Sequence, residues 1–91
     1  MYTVTARLSL RSNYPHSLKD KRRIVKSIID RVHSRFNVSI AEVDTQESLS
    51  SITIGMAAVS SEYSHARHCI ENIVNFIESS ADADLLEVVI I

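Results

Sequence analysis

Near the start of the chain, Tyr2, Val4, Ala6, Leu8 and Leu10 alternate with Thr3, Thr5, Arg7 and Ser9. Successive side chains of a strand point to opposite faces, so this segment predicts a first strand with one buried face. Asn13-Tyr14-Pro15-His16 breaks the alternation, and Ser17-Leu18-Lys19-Asp20 then has the form of a capping box, with Ser17 at the N-cap and Asp20 three residues on. Beyond it Leu18, Ile24, Val25, Ile28, Ile29, Val32 and Phe36 recur at intervals of three and four, which predicts a first helix with one apolar stripe. Asn37 is the predicted stop. Val38 to Asp44 reads as a second strand, Thr45 to Ser50 as a polar connection, and Ser51 to Val59 as a third strand that completes a hairpin. Ser60-Ser61-Glu62 offers hydroxyl caps and an acid for the first turn of a second helix. That helix carries the stripe Ala66, Cys69, Ile70, Ile73, Val74 and Ile77. Ser79-Ser80-Ala81-Asp82 ends it, and Leu85 to Ile91 is the last strand.

The order βαββαβ, with right-handed crossovers, folds most simply into an α+β ferredoxin-like sandwich of residues 1–91 as a single domain. Both helices then cover one face of a four-stranded antiparallel sheet in the spatial order 4-1-3-2. The other face is expected to carry Thr3, Thr5, Arg7 and Ser9 with Thr53, Gly55, Ala57 and Val59. Such an open face, together with the apolar last strand, predicts pairing with a second copy.

Composition narrows the chemistry. In 91 residues there is one glycine, Gly55, and one cysteine, Cys69. Phosphate-cradling loops and dinucleotide fingerprints need two or three glycines in a short span, so P-loop and Rossmann chemistry are excluded. One cysteine forms no internal disulfide and no zinc knuckle. No apolar run approaches the roughly 18 residues of a membrane span, and a soluble, cytoplasmic protein is expected, without membrane association. The net charge of −1 hides a segregation. Residues 1–36 hold nine Lys/Arg against Asp20 and Asp30, a net of +7, whereas residues 37–91 hold Arg67 against nine Asp/Glu, a net of −8. This points to a basic face for a polyanion, or to acidic and basic surfaces that pair within or between molecules, unless folding brings the halves together and neutralises them.

The stretches Ser17 to Arg23, Val25-Lys26-Ser27, Phe36 to Asp44, Gly55 to Ser60 and Leu85-Leu86-Glu87-Val88 together resemble the YlxP-like family of small bacterial proteins, over nearly the full chain. The resemblance implies a ferredoxin-like fold and a bacterial source. The family is a domain of unknown function. Its genes often stand beside those of translation initiation and ribosome-binding factors, which implies a link to ribosome maturation by association rather than mechanism.

Seven basic residues lie between positions 18 and 36: Lys19, Lys21, Arg22, Arg23, Lys26, Arg31 and Arg35. Four crowd the first two helical turns, where the macrodipole disfavours cations by about 0.3–1 kcal/mol each, so helix stability does not account for them. Spacings of three and four put Lys19, Arg22, Arg23 and Lys26 on one ridge away from the apolar stripe, a surface suited to the phosphates of RNA. Lys21 differs. It precedes Val25 by four and Ile28 by seven, at the edge of the stripe, and should snorkel or pair. Parallel first and second strands would make Glu42 and Asp44 its natural partners, a structural salt bridge.

Other chemistry is weak. His65, His68 and Cys69 have helical spacing that could bring soft ligands together, but Cys69 fits the apolar stripe, and neither metal nor cofactor is expected. An acylphosphatase shares this length and element order, yet Arg11-Ser12-Asn13-Tyr14-Pro15 lacks the glycine of that family's phosphate loop. No catalytic triad can be assembled, and the strands lack the aromatic pair with which stacking-type RNA sheets hold bases. The expectation is therefore a non-enzymatic module that contacts RNA or the ribosome through the ridge, the alternative being an oligomeric structural or protein-interaction module with no nucleic-acid role.

Overall fold

A computed structural model describes residues 1–13 and 16–91. The elements are β1 (Tyr2–Ser12), α1 (Leu18–Arg35), β2 (Ser39–Asp44), β3 (Ser51–Ser60), α2 (Tyr63–Ser80) and β4 (Ala83–Ile90). The strands form one sheet ordered β2-β3-β1-β4 with every neighbouring pair antiparallel. This is the ferredoxin-like arrangement, and the order is the expected 4-1-3-2 read from the other edge. Of the break predicted at Asn13-Tyr14-Pro15-His16, Tyr14 and Pro15 lie outside the described residues, as does that part of the loop compared with acylphosphatase.

The alternation in β1 does what period two requires. Val4, Ala6, Leu8 and Leu10 are buried against Ile52, Ile54, Met56 and Ala58 of β3 and Ala66, Ile70, Ile73 and Ile77 of α2. Residues α2 covers thus belong mainly to the two central strands, while α1 lies against β2. Thr3, Thr5, Arg7 and Ser9 face the other way, in register with Val59, Ala57, Gly55 and Thr53.

The end of β1 and the start of β4 differ from the sequence pattern by two residues each, and the start of β2 and the ends of β3 and β4 by one. β1 runs on to Ser12, which is buried opposite Ala83 and donates its N–H to Ser50 O at 2.7 Å, so β4 starts at Ala83 rather than Leu85. Main-chain pairing, which polar side chains do not announce, extends both strands.

Of the two helix starts, α1 follows the sequence pattern and α2 departs from it. Ser17 is the N-cap of α1, and its Oγ accepts from Asp20 N at 3.1 Å. Asp20 Oδ2 in turn accepts from His16 N at 3.3 Å, one residue before the usual capping-box position. At α2 the expected hydroxyl cap is absent. Glu62 is itself the N-cap and makes no side-chain cap bond, and no acid lies in the first turn. Ser60 Oγ accepts from Glu62 N at 3.1 Å, so it stabilises the turn ahead of the helix instead.

Among the described residues no helix is long and apolar enough to cross a membrane.

Candidate functional site

The first helix sorts its basic residues into three environments. Its buried positions are Lys21, Val25, Ile28 and Val32, spaced by four, three and four, so Lys21 stands within the buried stripe rather than at its edge. It is 1% exposed and does not snorkel to water. Its Nζ lies 3.1 Å from Glu42 Oε2 and donates to the backbone carbonyl of Thr45. The contact with Glu42 is an ion pair at an off-axis angle, and Oε2 is buried without an aligned hydrogen-bond donor among the described residues. Asp44 does not share the role. Its Oδ1 accepts from Thr45 N at 2.7 Å, at the turn that leaves β2.

That turn is strained. Thr45 has φ 59°, the left-handed region that a β-branched residue rarely adopts. Five interactions hold it: the bonds from Lys21 and to Asp44 Oδ1, a 3.0 Å bond from Ser48 N to Thr45 O, a 2.6 Å bond from Thr45 Oγ1 to Asp44 O, and a 3.0 Å contact with Thr53 Oγ1. Lys21 thus ties the first turns of α1 to the end of β2, where parallel β1 and β2 bring them together.

Arg31 and Arg35, near the other end of α1, are engaged with α2. Arg31 Nη1 donates to Ser80 O at 2.7 Å, and the Arg35 guanidinium sits 4.7 Å from the Phe76 ring centroid. Phe76 also meets Phe36 edge-on at 5.7 Å. These contacts staple the two helices at their C-terminal ends.

Lys19, Arg22, Arg23 and Lys26 are all exposed. At about 100° per residue their ridge is centred roughly 140° around the helix from the buried stripe. Lys26 pairs with Asp30 one turn on, at 2.8 Å, with both side chains more than half exposed, a contact worth little in water. Lys19, Arg22 and Arg23 have no carboxylate within salt-bridge distance among the described residues. Of the nine cations in residues 1–36, Lys21 alone reaches an acid of the other half at that distance among the described residues. Direct pairing between the two halves therefore leaves the basic ridge uncompensated.

Sequence reasoning missed a groove beside the ridge. Arg23, Ser27 and Arg31 advance along one side of α1 at i, i+4 and i+8, and with Ile24 and Ile28 they face Ala81 and Asp82 at the turn into β4. The space is about 240 Å³. Its signal is visible only once the end of α2 is placed beside α1. A second, shallower groove of about 310 Å³ lies on the open face over Thr5, Ala41, Val43, Gly55 and Ala57, with no charged side chain in its lining.

Cys69 is partly buried and packs on the core, and His65 lies 3.3 Å from Glu62 on the exposed start of α2. Among the described residues no group of three or more His, Cys, Asp or Glu side chains is placed to hold a metal ion.

Fold and site together define a small ferredoxin-like sandwich whose first helix presents an exposed basic ridge. Within that class, the chain belongs to the family described as protein of unknown function DUF503, whose model matches residues 3–90. It is also 40% identical, over 63 residues, to the uncharacterized protein YlxP of Bacillus subtilis strain 168, a match covering 69% of this chain and 68% of YlxP.

Proposed function

We propose that this protein is a non-enzymatic binding module that contacts RNA, free or within the ribosome, through Lys19, Arg22, Arg23 and Lys26. One observation carries the reading: four cations share one exposed ridge, and three of them have no acidic partner among the described residues. Placing Lys19, Arg22 and Arg23 in the first turns of α1 costs helix stability, and an anionic ligand offsets that cost. The exposed N-terminal turns add a favourable dipole, while lysine and guanidinium donors supply sequence-independent phosphate contacts. The gene neighbourhood of the resembling family fits a role in translation or ribosome maturation.

Phosphate contacts release counterions, so affinity should fall steeply with salt. Four contacts give a slope of log K on log salt of roughly −3 for single-stranded RNA. Fluorescence anisotropy with a labelled RNA 12-mer measures it. Charge reversal of all four ridge residues should leave the circular dichroism spectrum intact and abolish binding at moderate salt. Retained affinity in that variant overturns the reading.

A second reading, an oligomeric structural or protein-interaction module, is favoured by the open sheet face. Val43 is 52%, Val59 63% and Ile91 81% exposed there, with nothing from this chain packed over them among the described residues. That reading gives the ridge no nucleic-acid role, and since ridge and open face lie on opposite sides of the sheet, RNA binding and self-association can be measured independently.

A further inference from the structure

The groove beside the ridge combines three features that the ridge lacks. Its wall is apolar, from Ile24, Ile28 and Ala81, so it favours a ring over water. Arg31 lines the groove with its Nη1 donating to Ser80 O at 2.7 Å, which restrains a planar guanidinium beside the apolar wall. Asp82, on the opposite lip, is an acceptor-only group that forms no salt bridge among the described residues. Arg23 belongs to both surfaces, so a ligand anchored on the ridge by its phosphates reaches the groove without a break.

We infer that this groove receives the base of one unstacked nucleotide, with Asp82 accepting a hydrogen bond from an exocyclic amino group of the base. The inference rests on the ridge reading for the RNA strand but names the place where that strand is read. Single-stranded RNA offers what both surfaces ask for: phosphates at regular intervals and planar rings that stack on arginine. An acidic peptide offers the charges without a ring edge bearing an amino group. The volume also fits the assignment. At about 240 Å³ it falls below the roughly 300–1,000 Å³ of sites that enclose drug-sized ligands, so it suits one ring system rather than a whole cofactor. A carboxylate acceptor favours cytosine, adenine and guanine, whose exocyclic amino groups donate, over uracil, which has no amino group, offers N3–H alone and presents repelled carbonyl oxygens on either side of it.

Two titrations test this with the 91-residue chain. In the first, the ¹⁵N-labelled protein receives CMP, AMP, UMP or ribose 5-phosphate. CMP and AMP should shift the amide signals of Ser27, Ile28, Ala81 and Asp82, with UMP and ribose 5-phosphate binding at least threefold more weakly. Asp82→Asn, which can both donate and accept, should bring UMP level with CMP. Ser27→Leu fills the groove with a good helix former and should remove the shifts while the spectrum stays dispersed. Shifts from ribose 5-phosphate equal to those from CMP, or no shifts at these four amides, overturn the inference. In the second, an RNA 12-mer is compared with its abasic counterpart, which keeps every phosphate. The intact strand should bind at least fivefold more tightly. Equal, salt-sensitive binding of the two strands overturns the groove inference and leaves the ridge reading standing. Failure of both strands to bind at low salt overturns the ridge reading, and the mononucleotide titration then decides the groove alone.

Discussion

Lys21 shows how one position can invert the meaning of its residue type. A lysine among six other cations on a helix reads as part of a charged surface, yet this one is 1% exposed and held by Glu42 and the Thr45 carbonyl. Removing one member of a buried pair leaves the other charge without compensation, at a cost of about 3–5 kcal/mol when burial is complete. Glu42→Gln should approach that range, because Lys21 has no route to water. Lys21→Met should cost less, since the Glu42 side chain is 15% exposed. Urea denaturation of both single variants and the double variant checks this, and the double should lose less than the sum of the singles. Gly55 is a second such position. A Cβ there would meet Val43 Cγ1 at 2.8 Å and Cγ2 at 3.3 Å. Overpacking typically costs about 1–3 kcal/mol, against about 0.5–1 kcal/mol gained by stiffening a strand glycine. Gly55→Ala should therefore destabilise the native chain by about 1 kcal/mol and become stabilising in a Val43→Ala background, a change of sign that thermal denaturation reads directly.

At the scale of elements, the two helices begin in different ways, and their ends should respond differently to substitution. Ser17 satisfies a free N–H of α1, so Ser17→Ala should lower stability by about 1 kcal/mol. Glu62 caps α2 without a side-chain bond, so Glu62→Ser should raise stability by about 0.5–1 kcal/mol. Its exposed pair with His65 contributes too little to reverse the sign. Chemical denaturation of the two variants side by side tests both directions. The apolar periods alone located both helices and all four strands, because period two and period 3.6 are local properties of a chain with one buried face. The caps were legible only at α1. Three hydroxyl or acidic candidates in a row at 60–62 satisfy the same pattern, and the packing of α2 on β1 and β3 decides which of them is the cap.

For the whole molecule, the helices shield one side of the sheet and leave the other bare. The uncovered face carries Val43, Val59 and Ile91 around a floor of Ala41, Gly55 and Ala57. Thr5 and Arg7 of β1 stand between these apolar positions, and exposed apolar side chains grouped on one uncovered face lead to the expectation that it associates with a second copy. Multi-angle light scattering should report a dimer or higher assembly, and Val59→Lys should return it to the monomer mass without loss of secondary structure, since that side chain is 63% exposed. A strict monomer over a wide concentration range would show that this face is simply solvated.

By itself the sequence determined the element order, the faces of the strands, the stripe of each helix and hence the ferredoxin-like sandwich, because burial imposes its period wherever a segment has one side in the core. It also placed Lys19, Arg22, Arg23 and Lys26 on one ridge, since helical spacing is fixed. Only the tertiary structure decided which cations stay free. Lys21 meets Glu42 across 21 residues of sequence, Arg31 meets Ser80 across 49, and Arg35 covers Phe76. The groove at Arg23, Ser27 and Asp82 has the same origin: its two walls are remote along the chain, and a pattern confined to neighbouring residues carries no record of what folding sets opposite them.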